Sequence, residues 1–365
     1  RDVVPLERAR ILKEIANLLR KHGDELAMMD AANCGNPYTE MRGDAAIAAA
    51  QMEFFAGLVT EMKGDTIPMG PERINMTLRQ PMGVVARILA FNHPFMFCGG
   101  KMAAPLAAGN AVVFKPAPET PRCAEIVAEA CWAAGVPADV LRFVRTPDDE
   151  VGRRLVTTVD GVILTGSHET ADLFRCWDPN MRLFAEASGK NALVVTAQAD
   201  LDLAAADLVR SAFGHQGQKC SAASLGILVG PVATDERFLR QVVDAATSLQ
   251  VGPTTDPATV FGPLVAPATG KLLDALTVLA PGEEWLLEPR RLDADGRVWT
   301  PGIKVGVRAG SQFFNSDFRA FIFSDTNRAV RIFGTRNSNR AQFNLIAFDQ
   351  AEKDTNSELN TFRDR

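Results

Sequence analysis

From Gly83 onward, short apolar runs alternate with alanine-rich segments, and this rhythm leaves few folds open to the chain. Val84-Val85-Ala86-Arg87-Ile88-Leu89-Ala90, Ala111-Val112-Val113-Phe114 and Gly161-Val162-Ile163-Leu164 are each long enough for one buried strand. Helical stretches such as Pro121 to Ala134 lie between them. Strands that are apolar throughout are covered on both faces, so the alternation predicts an α/β fold with a largely parallel sheet wrapped by helices. A second block repeats the rhythm: Ala192-Leu193-Val194-Val195, a helix from Leu203 to Phe213, Leu225-Gly226-Ile227-Leu228-Val229, and a helix near Arg237 to Leu249. At 365 residues, 47% of them apolar, the chain is long enough for two cores. We place the boundary so that residues 1–187 form a first domain and 188–365 a second, with functional groups meeting in the cleft between them. Ahead of the first strand, Leu12, Ile15, Leu18 and Leu19 predict a helix over residues 5–31, and Asp44 to Leu58 a second.

Three short motifs carry candidate chemistry. Gly217-Gln218-Lys219-Cys220 presents a thiol beside a glycine, where backbone can approach closely. Glu186 closes the strand-like stretch Leu183-Phe184-Ala185-Glu186, 34 residues before Cys220. Asn92 stands in Phe91-Asn92-His93-Pro94-Phe95, 128 residues before the same cysteine. Thiol, carboxylate and amide donor are the parts needed for thiol addition to a carbonyl and later attack by water. Taken singly, each residue has a plain explanation: a buried cysteine, a surface glutamate, an asparagine in a turn. Their order and spacing make the set informative.

The ordered set resembles the aldehyde dehydrogenase superfamily over nearly the whole chain. That resemblance implies an α/β fold with a Rossmann-like cofactor domain and a second α/β catalytic domain. It implies Cys220 of the G-Q-x-C motif as nucleophile, Glu186 of E-x-x-G-K as general base and Asn92 as oxyanion donor. Lys101, nine residues after Asn92, matches a lysine found near the family's catalytic cleft. The reaction implied is oxidation of an aldehyde to a carboxylic acid by NAD(P)+, through a thiohemiacetal and a thioester on Cys220.

No G-x-G-x-x-G follows a strand here, so the common dinucleotide fingerprint is absent. Leu164-Thr165-Gly166-Ser167 instead ends a strand and opens a helix at about His168 to Trp177. Read alone, this is a strand-to-helix turn with Ser167 as N-cap. The resemblance makes Gly166 and Ser167 the pyrophosphate contact at a helix N-terminus, although Ala171 stands where relatives often carry a further glycine. Lys115, just past a strand, is then placed for the adenosine ribose. Pro118 occupies the position where many relatives have a ribose-chelating glutamate, with Glu119 one place later. NAD is the expected cofactor, with NADP the alternative.

Counting on from Cys220 to the family's nicotinamide clamp reaches Asp317-Phe318-Arg319-Ala320-Phe321, where Asp317 keeps a carboxylate on a shorter arm. Relative to the family, the chain reads as truncated at both ends: it opens on Arg1, and it stops before the C-terminal strand that relatives use to form homo-oligomers. The segments around Glu186 and Cys220, and Thr300-Pro301-Gly302-Ile303-Lys304, look like the branch that oxidises glutamate semialdehyde, the 1-pyrroline-5-carboxylate dehydrogenases. Ser221 matches a hydroxyl that touches substrate in that branch, whereas Gly83 to Pro116 looks like a general aldehyde dehydrogenase. Two other readings stay open: an impaired homologue that binds nucleotide or a partner, and a cofactor-independent thiol esterase.

A net charge of −5 without a basic run argues against nucleic acid or an anionic membrane as partner. No run of residues is long and apolar enough to span a bilayer, and no signal peptide opens the sequence. Cysteines 34, 98, 123, 131, 176 and 220 show neither disulfide-like nor metal-ligand spacing, so free thiols, a cytoplasmic setting and no metal are expected. His93, His168 and His215 suggest no Cys-His dyad and read as structural or surface residues.

Overall fold

Two five-stranded sheets organise the described residues. The computed structural model describes residues 3–147, 149–187 and 189–307, and the backbone of 321–324, 333–337 and 340–344. Three helices come first: α1 (Pro5–Lys21), α2 (Gly23–Cys34) and α3 (Tyr38–Leu58). The continuous helix expected over residues 5–31 is broken at His22, whose ψ of 8° leaves the helical region before α2 starts at Gly23. The break lets α2 turn back on α3, where a Cβ at Gly23 would lie 3.4 Å from the Ala45 methyl. Leu12, Ile15 and Leu19 are buried on the predicted face of α1, each contributing roughly 1.5–3 kcal/mol relative to exposure. An exposed antiparallel ribbon, β1 (Thr66–Pro68) and β2 (Ile74–Met76), follows; its three-residue strands gave no periodic signal.

The first large sheet contains β3 (Val84–Ile88), β4 (Ala111–Lys115), β5 (Leu141–Phe143), β6 (Gly161–Gly166) and β7 (Leu183–Ala187), in spatial order β5-β4-β3-β6-β7. All neighbouring pairs are parallel. The order runs outward from β3 in one direction and then from β6 in the other, so the strand order reverses between β3 and β6. In sheets of this kind the carboxyl ends beside such a reversal open a binding crevice. One face packs on α1, α3, α4 (Pro94–Gly99), α5 (Ala103–Ala107) and α6 (Pro121–Ala133) through Val112, Phe114, Phe95 and Cys131. The other carries α7 (Glu150–Thr158) and α8 (His168–Trp177), with Ala86, Ile88 and Leu164 against Phe174.

The chain leaves this sheet at Ala187 and enters the second at Asn191. There β8 (Asn191–Val195) and β9 (Ala223–Leu228) bracket α9 (Leu201–Phe213), with α10 (Glu236–Thr247) packed on the same core through Phe238 and Val242. Helix α11 (Gly270–Thr277) covers the opposite face, where Ala275 meets Leu225. Strands β10 (Glu284–Leu287), β11 (Ile303–Val305) and β12 (Phe321–Ser324) complete the order β10-β11-β12-β9-β8, antiparallel only at β10. Strands β13 (Phe333–Asn337) and β14 (Arg340–Asn344) pair antiparallel.

Candidate active site

The carboxyl end of β3 runs into the loop carrying Asn92, and buried polar groups of the N-terminal helices fasten that loop. Asn36 Nδ2 donates to the Asn92 carbonyl at 2.7 Å, and the Phe95 N–H donates to Asp30 Oδ2 at 2.8 Å. His93 Nδ1 lies 2.6 Å from Asp44 Oδ2. Asn92 itself is buried. Asp30 is wholly enclosed, and burial pushes its carboxyl up to about 7, against the Phe95 and Cys123 hydrogen bonds that favour the charge.

Pro94 starts α4, which leads into a single 3₁₀ turn bearing Lys101. The Lys101 ammonium lies 4.8 Å from the centroid of the Phe97 ring and pairs directly with Glu186. Glu186 reaches this position because β7 is the sheet edge and registers it beside Thr165 of β6. Lys101 holds the Glu186 carboxyl below its ordinary range; partial burial opposes this, while Arg87 and Thr165 reinforce it. At neutral pH the group is therefore an ionised acceptor, the form a base needs. Arg87 was not anticipated in a functional role. Its guanidinium is buried under the sheet, donating to Ile163 O at 2.8 Å and Thr165 Oγ1 at 2.8 Å. Burial lowers it to about 10, opposed by the charge of Glu186, so it stays cationic at neutral pH. An arginine inside an otherwise apolar strand run was the available signal.

Cys220 lies in the turn between the 3₁₀ segment Gly214–Gly217 and β9, and it is exposed. The approach to it is left-handed for three residues, His215, Gln216 and Gly217, with φ of 53°, 55° and 71°. Only the glycine adopts this region without a side-chain penalty. Asn191 Nδ2 donates to the carbonyls of Cys220 at 2.5 Å and Ala222 at 3.2 Å. Gln218 Oε1 accepts the Val265 N–H at 3.1 Å, tying the turn to the following loop. His215 is buried against His93, and burial drives its imidazole down to about 2, aided by the charges of His93 and Lys219. Four other cysteines, 34, 98, 123 and 131, are buried and their thiols are pushed upward by that burial. Cys176, on α8, is exposed.

The three motifs thus meet by contacts between their segments. Lys101 touches Glu186, Asn191 of the glutamate motif holds the Cys220 carbonyl, and the rings of His93 and His215 join the Asn92 loop to the thiol turn. Ser221 is exposed beside the thiol. Gly166 ends β6, and Ser167 Oγ accepts the Thr170 N–H at 3.1 Å, so the hydroxyl acts as the N-cap of α8. Lys115 ends β4, on the other side of β3 from β6, and is buried, whereas Pro118 and Glu119 share an exposed turn beyond it. These groups line the carboxyl ends flanking the strand reversal, apart from the thiol. Asp317 lies outside the described residues.

The exposed thiol turn, tied through Asn191 to the segment that follows Glu186, lies where the chain passes from the parallel sheet into the second α/β sheet. The model of the aldehyde dehydrogenase family matches residues 1–321, and the chain belongs to that family. Among solved structures it is similar to Proline Utilization A from Corynebacterium freiburgense, with 37% identity and a TM-score of 0.79 over 88% of this chain and 32% of that one. It is also similar to an aldehyde dehydrogenase from Brucella melitensis biovar abortus 2308, with 28% identity and a TM-score of 0.82 over 89% of this chain and 69% of that one. A third is an NAD-dependent aldehyde dehydrogenase from Sinorhizobium meliloti, with 25% identity and a TM-score of 0.84 over 89% and 66%. The chain therefore spans about a third of the first relative and about two thirds of the others. No helix among the described residues is long and apolar enough to cross a membrane.

Proposed function

We propose that this chain oxidises an aldehyde to a carboxylic acid with NAD(P)+, using Cys220 as nucleophile. The observation that supports this best is the convergence of the Asn92 loop, the Lys101–Glu186 pair and the Asn191-held Cys220 turn at one junction. The Cys220 sulfur attacks the carbonyl carbon, and the Asn92 amide donates to the oxygen that gains the electron pair. A bound NAD(P)+ would supply the hydride acceptor, and loss of hydride from the Cys220 adduct would leave a thioester on the sulfur. Glu186 then takes a proton from water as its oxygen attacks the thioester; the carbon–sulfur bond breaks and the acid leaves. Lys101 keeps Glu186 ionised between turnovers, and Ser221 borders the substrate.

The groups at the strand reversal suit the cofactor. Gly166 has no side chain to obstruct a pyrophosphate at the start of α8, whose dipole favours an anion, and Lys115 lies two strands over, across β3, for the ribose. Asp317 would hold the nicotinamide ribose. Glu119, on the turn after Pro118, favours NAD over NADP as a like charge near a 2′-phosphate. The motifs around Glu186 and Cys220 support glutamate semialdehyde as the aldehyde, as does the 37% identity to a protein named for proline utilization. Residues 1–187 would then be the cofactor domain and 188–365 the catalytic domain.

The test is to incubate the protein with glutamate semialdehyde and a panel of small aldehydes, with NAD+ or NADP+, and separately with an activated ester. Reduced cofactor should form only with aldehyde and vanish in Cys220→Ser. Ester hydrolysis without any reduced cofactor would replace this proposal with a thiol hydrolase.

A further inference from the structure

Three side chains far apart in sequence meet in the interior: Asp44 of α3, His93 of the Asn92 loop and His215 ahead of Cys220. One ligand-capable atom from each lies within 4.8 Å of the other two, and all three residues are buried. The closest approach, His93 Nδ1 to Asp44 Oδ2, is 2.6 Å, and the two imidazole rings lie 4.6 Å apart at 43°. His215 is 1% exposed, yet neither ring nitrogen has a hydrogen-bond partner among the described residues. A buried polar group left in that state carries a desolvation penalty with no hydrogen bond to offset it. The same residue also takes a left-handed backbone, which a residue with a Cβ adopts only at a further cost. Two penalties on one side chain imply an interaction that offsets them, and strained backbone of this kind gathers at functional sites.

We propose that Asp44, His93 and His215 form a binding site for a divalent transition-metal ion of the zinc type. Two imidazole nitrogens and a carboxylate oxygen are a donor set that zinc accepts, with metal–ligand bonds of about 2.0–2.2 Å. Such bonds set tetrahedral ligand atoms about 3.4 Å apart. The separations here, from 2.6 Å to at most 4.8 Å, bracket that value, so small side-chain rotations suffice. Glu40 Oε2, 3.8 Å from His215 Nδ1, offers a fourth ligand. Asp44 supplies one carboxylate to the cluster, and Glu40, which also holds the Lys219 ammonium at 3.2 Å, borders it with a second. The ion clamps α3, the Asn92 loop and the Cys220 turn together. It is a structural tie that sets the oxyanion donor against the nucleophile, and it stands whatever reaction the thiol performs.

The experiment uses the full chain, stripped with chelator, loaded with Co²⁺ or Zn²⁺, desalted and analysed for metal. About one ion per chain should remain, and bound Co²⁺ should show visible d–d bands without the near-ultraviolet band of thiolate ligation. His215→Gln should weaken binding by at least about tenfold, and His168→Gln, at an exposed histidine, should leave it unchanged. Zn²⁺ should raise the Tm of the parent chain but not of His215→Gln, which separates ligand loss from misfolding. Metal retained equally by His215→Gln, a cobalt spectrum dominated by thiolate bands, or well under one ion per chain would each overturn the assignment.

Discussion

Asp30→Asn tests whether burial governs the charge beneath the Asn92 loop. Asp30 sits wholly inside the helical layer, with Oδ2 accepting the Phe95 N–H and Oδ1 unpartnered. Its carboxyl is pushed from 3.8 in the unfolded chain up to about 7 in the fold, chiefly by burial. The fold thus prefers the neutral acid. Stability from this group is full below the unfolded value and is lost as pH rises toward the folded one. Each pH unit in that window removes about 1.4 kcal/mol, so the loss approaches ~4 kcal/mol by pH 8. That is a large share of the roughly 5–15 kcal/mol that holds a domain folded. Asparagine keeps an acceptor for Phe95 and never ionises. The two proteins should therefore be within about 1–2 kcal/mol of each other at pH 4, and the variant should become progressively the more stable above it. Urea titrations in chelator-containing buffer, read by tryptophan fluorescence with Trp132 on α6 reporting on this layer, give the difference at each pH. A difference that stays constant from pH 4 to 8 would show that Asp30 ionises freely in the fold, refuting the burial argument.

Glu186→Gln should preserve the pre-steady-state burst of reduced cofactor and slow the later phase by about 10²–10⁴-fold; equal loss of both phases would make Glu186 structural. Because Lys101 depresses the Glu186 carboxyl, Lys101→Met should move the acid limb of the pH–rate profile to higher pH, and a limb that moves the other way contradicts the pairing. Brief treatment with limiting iodoacetamide, mapped by mass spectrometry, should label Cys220 and Cys176 and spare the four buried cysteines. Gly35→Ala should destabilise the fold by more than about 2 kcal/mol in the same urea assay, since a Cβ there would lie 2.0 Å from the Pro263 carbonyl at a φ of +80°; a smaller loss would mean the loop yields.

The strand and helix pattern was legible because it is written in near neighbours. Val84 to Ile88, Ala111 to Lys115 and Gly161 to Gly166 form strands where apolar runs had indicated them, and His168 to Trp177 forms the helix expected after Thr165-Gly166-Ser167. The break at His22 escaped notice because it depends on α2 folding back onto Ala45, which no periodicity within α1 encodes. Arg87 was visible as an anomaly, but its role needed Thr165 and Glu186 from two other strands.

The site divides along the same line. Residue types and motif spacing identified Asn92, Glu186 and Cys220 as a chemical set, because that information lies within short segments. Tertiary structure alone decided that Lys101 reaches Glu186, that Asn191 holds the Cys220 carbonyl, and that Asp44, His93 and His215 share one interior point. Side-chain periodicity reports whether a segment buries one face or two, so the sequence by itself determined the α/β alternation and the candidate thiol. Which buried faces then meet is set by packing among elements distant in the chain, and a charge or an imidazole acquires its environment only there.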